Sequence, residues 1–169
     1  VALLELLGSH WVLPDEGLWE IRGPRRHFTH SKVMAWVAFD RAIKDAERDA
    51  LEGPVDEWRR VRAQIHAEVS AQGFDGQRNA FVQSYGSAHL DASLLLIPQV
   101  GFLPPEDPRV HGTIAAIERE LVVEGLVLRY STATNVDALP PGEGAFLPCS
   151  FWLADAYVLT GRRAQGEAL

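Results

Sequence analysis

The residues best suited to chemistry lie in 13–32, LPDEGLWEIRGPRRHFTHSK, where Asp15, Glu16, Trp19, Glu20 and Arg22 gather around proline and glycine. Carboxylates beside an indole suit sugar chemistry. The flat ring stacks on the C–H face of a pyranose, and a carboxylic acid protonates a glycosidic oxygen. The plainer alternative is a solvated acidic turn in which Trp19 only anchors the core. Composition leaves both open.

Two further stretches carry candidates. In LPPGEGAF (139–146) Glu143 stands between glycines at the mouth of an apolar segment; an acid at a helix start, favoured by the helix dipole, is the competing explanation. In GLVLRYST, Arg129-Tyr130 offers a guanidinium to clamp sugar hydroxyls, or an ordinary surface arginine. The remaining nucleophiles and ligands offer less. His27 and His30 have no further His or Cys at metal-ligand spacing. His66, His89 and His111 read as solvated. Cys149 sits within an apolar segment with no histidine partner, so it reads as core, and Ser150 lacks the sharp turn of a catalytic serine.

The whole chain narrows the classes. Its 169 residues suit one domain or part of a larger one. With 16 Lys+Arg against 23 Asp+Glu and a net charge of -7, it lacks the basic face that nucleic acid or an anionic membrane requires. No apolar run approaches ~20 residues, so no membrane span is expected. A single cysteine makes no internal disulfide, which fits a cytoplasmic setting.

The elements that must position these residues alternate in character. Segments 87–99 and 144–160 are apolar nearly all round, and 30–51 begins so before thinning to a stripe of Ile43, Ala46 and Leu51. Segments 54–72 (Trp58, Val61, Ile65, Val69) and 108–121 (Val110, Ile114, Ile117, Leu121) each carry one apolar stripe at helical spacing. An all-round apolar helix is buried on every side, and a striped one lies outside. The order inner, outer, inner, outer, inner predicts an all-α fold of concentric layers, an α/α toroid. A helical bundle with a buried central helix is the rival. Segments 13–29, 73–86 and 122–143 are long and lack helical period; 80–84 suggests a short strand. Each leads into an inner helix, so all three, with Tyr85 in GFDGQRNAFVQSYG, are expected at one mouth.

PDEGLWEIRG, RRHFTHSKVMAWVAFDRAI, GFDGQRNAFVQSYG, LDASLLLIPQVGFLPPEDPRV and LPPGEGAFLPCSFWLADAYVLTGR together resemble glycoside hydrolase family 15, in its bacterial glucoamylase-like and trehalase-like members. The resemblance runs over essentially the whole chain. It implies part of an (α/α)6 toroid and inverting hydrolysis of α-glucosidic bonds, without cofactor or metal. By the family's LWE motif it makes Glu20 the general acid, with Trp19 as a sugar-binding ring. That role asks for a carboxyl kept protonated, by burial beside Trp19 and a facing base. The Arg-Tyr pair makes Arg129 a ligand of the non-reducing glucose, with Tyr130 beside it. Ile21 stands where fungal glucoamylases carry a second acid.

The family's general base lies in a later LSEE-like motif that these residues do not contain. Glu143 is the other carboxylate with a plausible position, although its motif suggests the substrate side. The chain thus reads as an internal piece of a catalytic domain, 1–169 being truncated at both ends and inactive alone. Its partners would be a small carbohydrate and the rest of that domain, with self-association through uncovered apolar faces. The alternative is a carbohydrate-binding or orphaned helical domain without activity.

Overall fold

The computed structural model describes residues 1–20, 23–48, 51–131 and 145–169. Helix α1 (Ala2–His10) precedes a long turn, and α2 (Thr29–Ala46) and α3 (Val55–Gln72) pack side by side. Two-residue strands β1 (Phe74–Asp75) and β2 (Ala80–Phe81) form an antiparallel hairpin. A 3-10 turn over Ala92–Leu95 runs into the single-turn helix α4 (Leu96–Gln99). Then come α5 (Pro108–Leu121), a second hairpin of β3 (Val122–Val123) and β4 (Leu126–Val127), α6 (Leu147–Leu159) and α7 (Arg163–Ala168).

The striped helices behave as their spacing predicts. In α3 the buried residues are Trp58, Val61, Ile65 and Val69. In α5 Val110, Ile114, Ile117 and Leu121 are buried, with Thr113 and Ala116 between them. Helix α3 packs on α2, and α5 packs on the 3-10 turn, which also touches α2 and α6. The described residues thus build an all-α fold, as expected, in which the striped faces of α3 and α5 turn toward α2 and the 3-10 turn.

Two inner segments depart from expectation. No continuous helix fills 87–99. Asp91 caps the 3-10 turn, its side chain accepting from the Ser93 N–H, and Pro98 has no N–H to extend a helix backward. The short segment is still deeply buried, from Ala92 to Leu95 and at Ile97 and Pro98. Helix α6 buries Cys149, Leu153 and Ala156, but Phe151 is 67% exposed, and Leu147, Val158 and Leu159 are exposed too. Its all-round apolarity is matched by neighbours on one face only. Helix α2 ends at Ala46, short of 51, and it buries two charges. Lys32 Nζ donates to the carbonyls of Trp11 and Leu13. Asp40 is held by Arg41, Lys44 and Arg62.

The hairpins bind the layers to the loops. The β1–β2 hairpin lies on α5, where a Cβ at Gly112 would stand 2.0 Å from the Asn79 carbonyl. The Phe81 N–H donates to the Thr113 hydroxyl at 3.0 Å. Expected strand 80–84 shortens to Ala80–Phe81, with Ser84 bridging Phe28. The β3–β4 turn uses Glu124 and Gly125, both at positive φ, the backbone of a tight two-residue hairpin. The Val127 N–H then reaches Ser150 Oγ on α6 at 3.0 Å.

Candidate active site

The 13–28 turn is closed by a backbone pair: Asp15 N–H donates to the Arg26 carbonyl and Arg26 N–H to the Asp15 carbonyl, both at 2.9 Å. The Asp15 carboxylate turns inward, accepting from Gly17 N–H and Ser31 Oγ at 2.7 Å each. Gly17 is at φ +74 and so close to Phe28 that a Cβ would meet its ring at 2.9 Å, so glycine is needed on both counts. The turn closes with Glu20 N–H on the Gly17 carbonyl at 3.3 Å. Glu20 itself adopts φ +48. A left-handed backbone costs a non-glycine residue ~1–2 kcal/mol, and such strain concentrates where a side chain is aimed for function. Glu20 is exposed, so the burial expected beside Trp19 is not found: no described residue covers it. Ile21, Arg22 and Glu143 lie outside the described residues.

Trp19 is the centre of the cluster. Its indole N–H donates to both oxygens of Asp91, at 3.0 Å each. Its ring meets Phe146 edge-on at 5.8 Å and Trp152 at 6.1 Å, and it packs against buried Phe28 and Tyr130. Arg129 Cζ lies over the indole at 5.4 Å and over Tyr130 at 5.5 Å, within cation–π range. Residues 129–130 are fixed by the Ala92 N–H on the Arg129 carbonyl at 2.8 Å and by the isolated Asp91–Tyr130 bridge. Trp19, Arg129, Tyr130 and the start of α6, from three distant stretches, thus converge at one end of the inner segments.

Tyr85 joins this end through its backbone, its N–H donating to the His27 carbonyl at 3.0 Å. Its ring stacks on His27 at 5.7 Å rather than on Trp19. Burial pushes its phenol well above the usual range, and the Glu68 charge adds to the effect. Burial holds His30 below its ordinary value, against the pull of Asp91 and Asp15. His66 is partly exposed rather than fully solvated, its ring packing on Phe102 at 4.7 Å. Burial pushes the Cys149 thiol up to about 12, with Asp91 adding and Arg129 opposing, which makes it a core thiol. Among the described residues no three His, Cys, Asp or Glu gather to hold a metal ion.

This arrangement offers an aromatic platform backed by an arginine, with a carboxylate on the next residue. It can stack a sugar and present an acid to it. Asp91 and its neighbour Gln83, whose Nε2 donates to Asp91 Oδ2 at 3.1 Å, were not among the sequence candidates. The only local signal was the Asp-x-Ser cap in LDASLLL.

The family model described as glycosyl hydrolases family 15 matches residues 2–167. Over 161 residues the chain is 48% identical to a protein named trehalase from Mycobacterium tuberculosis, covering 95% of this chain and 24% of that one. It is 41% identical over 158 residues to a trehalase from Thermoplasma acidophilum, covering 94% of this chain and 27% of that one. The chain therefore spans about a quarter of the length of these curated relatives. Among solved structures, a glycosidase variant in complex with glucose superposes with a TM-score of 0.84 at 23% identity, over 97% of this chain and 42% of that one. The wild-type glycosidase gives 0.83 over the same shares. At that identity the likeness speaks for the fold.

Proposed function

The chain belongs to glycosyl hydrolase family 15, and on that premise we propose that it supplies the general-acid side of the active site of an inverting, exo-acting α-glucosidase acting on trehalose. The observation that carries this reading is the Trp19 indole, adjacent in sequence to Glu20 and topped by Arg129 at 5.4 Å. A non-reducing glucose stacks on Trp19 and is clamped by Arg129, with Tyr130 and Tyr85 on its flanks. Glu20 gives its proton to the glycosidic oxygen as the C1–O bond breaks. A second carboxylate, ~6.5–9.5 Å from the first, takes a proton from water attacking the opposite face of C1. Glu143 is one candidate for that base, and the preferred one is a residue outside these 169. No cofactor enters the reaction.

The exposed apolar residues support the partner reading. Leu3 on α1 is 82% exposed and Phe151 on α6 is 67% exposed; patches of this kind mark surfaces that other elements cover. We assign them to the remaining helices of the catalytic domain. The same exposure, with Glu20 uncovered, favours as the rival a helical domain without activity of its own. No described helix is long and apolar enough to cross a membrane.

The reaction has a stereochemical signature. In α,α-trehalose one glucose leaves with its α-bond intact and the other is attacked at C1. Proton NMR of early turnover by the full-length enzyme is expected to show α- and β-glucose in equal amounts before mutarotation. α-Glucose alone would mean retention, and absence of hydrolysis would favour the non-catalytic alternative. Preference for maltose would move the substrate to the starch type.

A further inference from the structure

Asp91 is 3% exposed, and every hydrogen bond to its carboxylate comes from a neutral donor. Oδ1 accepts from the Ser93 N–H at 2.8 Å, the Ser93 hydroxyl at 2.6 Å and Trp19 Nε1 at 3.0 Å. Oδ2 accepts from Gln83 Nε2 at 3.1 Å and from the same indole N–H at 3.0 Å. No cation stands within ion-pair distance of it among the described residues. A buried charge held only by neutral donors is costly to keep. As a helix cap an asparagine would serve as well, so capping Ser93 does not account for a carboxylate here.

The rest of its surroundings does. The indole N–H points between the two carboxylate oxygens, which fixes the ring's plane as well as its position. Hydrogen bonds to an ionised acceptor are also about twice as strong as neutral ones. The adjacent peptide holds the other half of the cluster, since the Ala92 N–H binds the Arg129 carbonyl at 2.8 Å and residue 91 bridges Tyr130. A negative charge at the N–H edge drives electron density into the indole. Its face then attracts polarised sugar C–H bonds and the Arg129 guanidinium more strongly.

We propose that Asp91 is the positioning residue of the sugar platform: its carboxylate sets and polarises the Trp19 indole, while its backbone and that of Ala92 register Arg129 over the same ring. This rests on the reading of Trp19 and Arg129 as sugar ligands. Asp91 touches no substrate and acts through Trp19.

A double-mutant cycle in the full-length enzyme, with trehalose as substrate, tests it. Asp91→Asn keeps shape and cap, but sets an NH2 group against one of the donors now facing the carboxylate. KM is expected to rise roughly tenfold, the worth of one charge-assisted hydrogen bond, with kcat changing much less. Trp19→Phe keeps a ring without an N–H and should raise KM comparably. In the Trp19→Phe background, Asp91→Asn should add less than about threefold, because its effect runs through the missing N–H. Unchanged KM in Asp91→Asn, or full multiplication of the two effects, overturns the proposal. Should Asp91→Asn fail to fold, the wild-type enzyme labelled with 15N-tryptophan decides. The indole N–H signal that Trp19→Phe removes should lie far downfield and exchange slowly, and a fast-exchanging signal at an ordinary shift overturns it. Wild-type turnover separates the two readings. A wild-type enzyme inactive on trehalose defeats the functional reading and this one with it, whereas normal wild-type turnover with no coupling defeats this one alone.

Discussion

Single residues carry two predictions that follow from burial. With its thiol pushed up to about 12 by burial, Cys149 is neutral at pH 8. It should react with a disulfide reagent at least 100-fold more slowly in the folded enzyme than after denaturation. Rapid folded-state labelling would show that the base of α6 opens to solvent. His30 and His66 are both held below the ordinary 6.5, chiefly by burial. The folded state thus favours neutral imidazoles, while the unfolded chain takes up protons below 6.5. Stability is full above that value and falls as pH drops through it, levelling below the folded pKa. The lowered carboxyls, such as Asp40 and Glu118, titrate lower, so the window from pH 7 to 5 belongs to the histidines. Denaturant midpoints across it should slope downward toward acid, and the slope should shrink in a His30→Gln, His66→Gln variant. An equal slope in that variant contradicts the assignment.

At the scale of elements, glycines separate packing from propensity. Gly112 on α5 faces the Asn79 carbonyl at 2.0 Å from a would-be Cβ, while a Cβ on Gly8 in α1 would stand 3.9 Å from Phe39. Alanine at 8 should stabilise by up to ~1 kcal/mol through helix propensity. Alanine at 112 should destabilise by about 1–3 kcal/mol, because overpacking against backbone outweighs that gain. Melting temperatures of the two variants should therefore move in opposite directions, and a rise in both would contradict the docking of the β1–β2 hairpin. The stripes of α3 and α5 were legible in the sequence because one helix face meets one layer, so spacing alone specifies burial. Helix α6 was not: an apolar residue records what a face can bury, not which neighbour is present, and Phe151 stays exposed. Lys32 was also hidden, because its burial depends on the end of α1, 21 residues away. Trp19 and Arg129 were readable as candidates from residue type and motif, and the structure brings the two together. Asp91 was not, since its role exists only through a contact across 72 residues.

At the scale of the molecule, the apolar faces of α1 and α6 predict that the 169 residues alone self-associate at micromolar concentrations in analytical ultracentrifugation, whereas the full-length enzyme does not through these faces. A monodisperse, monomeric 18.7 kDa species would mean that these surfaces need no cover. On the proposed reading the site has the same dependence on the whole, because one carboxylate and a stacking ring would bind and protonate without activating water. The central claim is that Glu20, beside the Trp19 platform, is the proton donor. It is tested most directly by comparing Glu20→Gln with wild type in the full-length enzyme on two substrates, trehalose and α-glucosyl fluoride. Glutamine keeps the shape but gives no proton, so kcat on trehalose should fall by about 10²–10⁴-fold. Fluoride leaves with little help and should lose much less rate. Undiminished turnover of trehalose by Glu20→Gln, or equal losses on both substrates, would contradict the assignment of Glu20 as the acid.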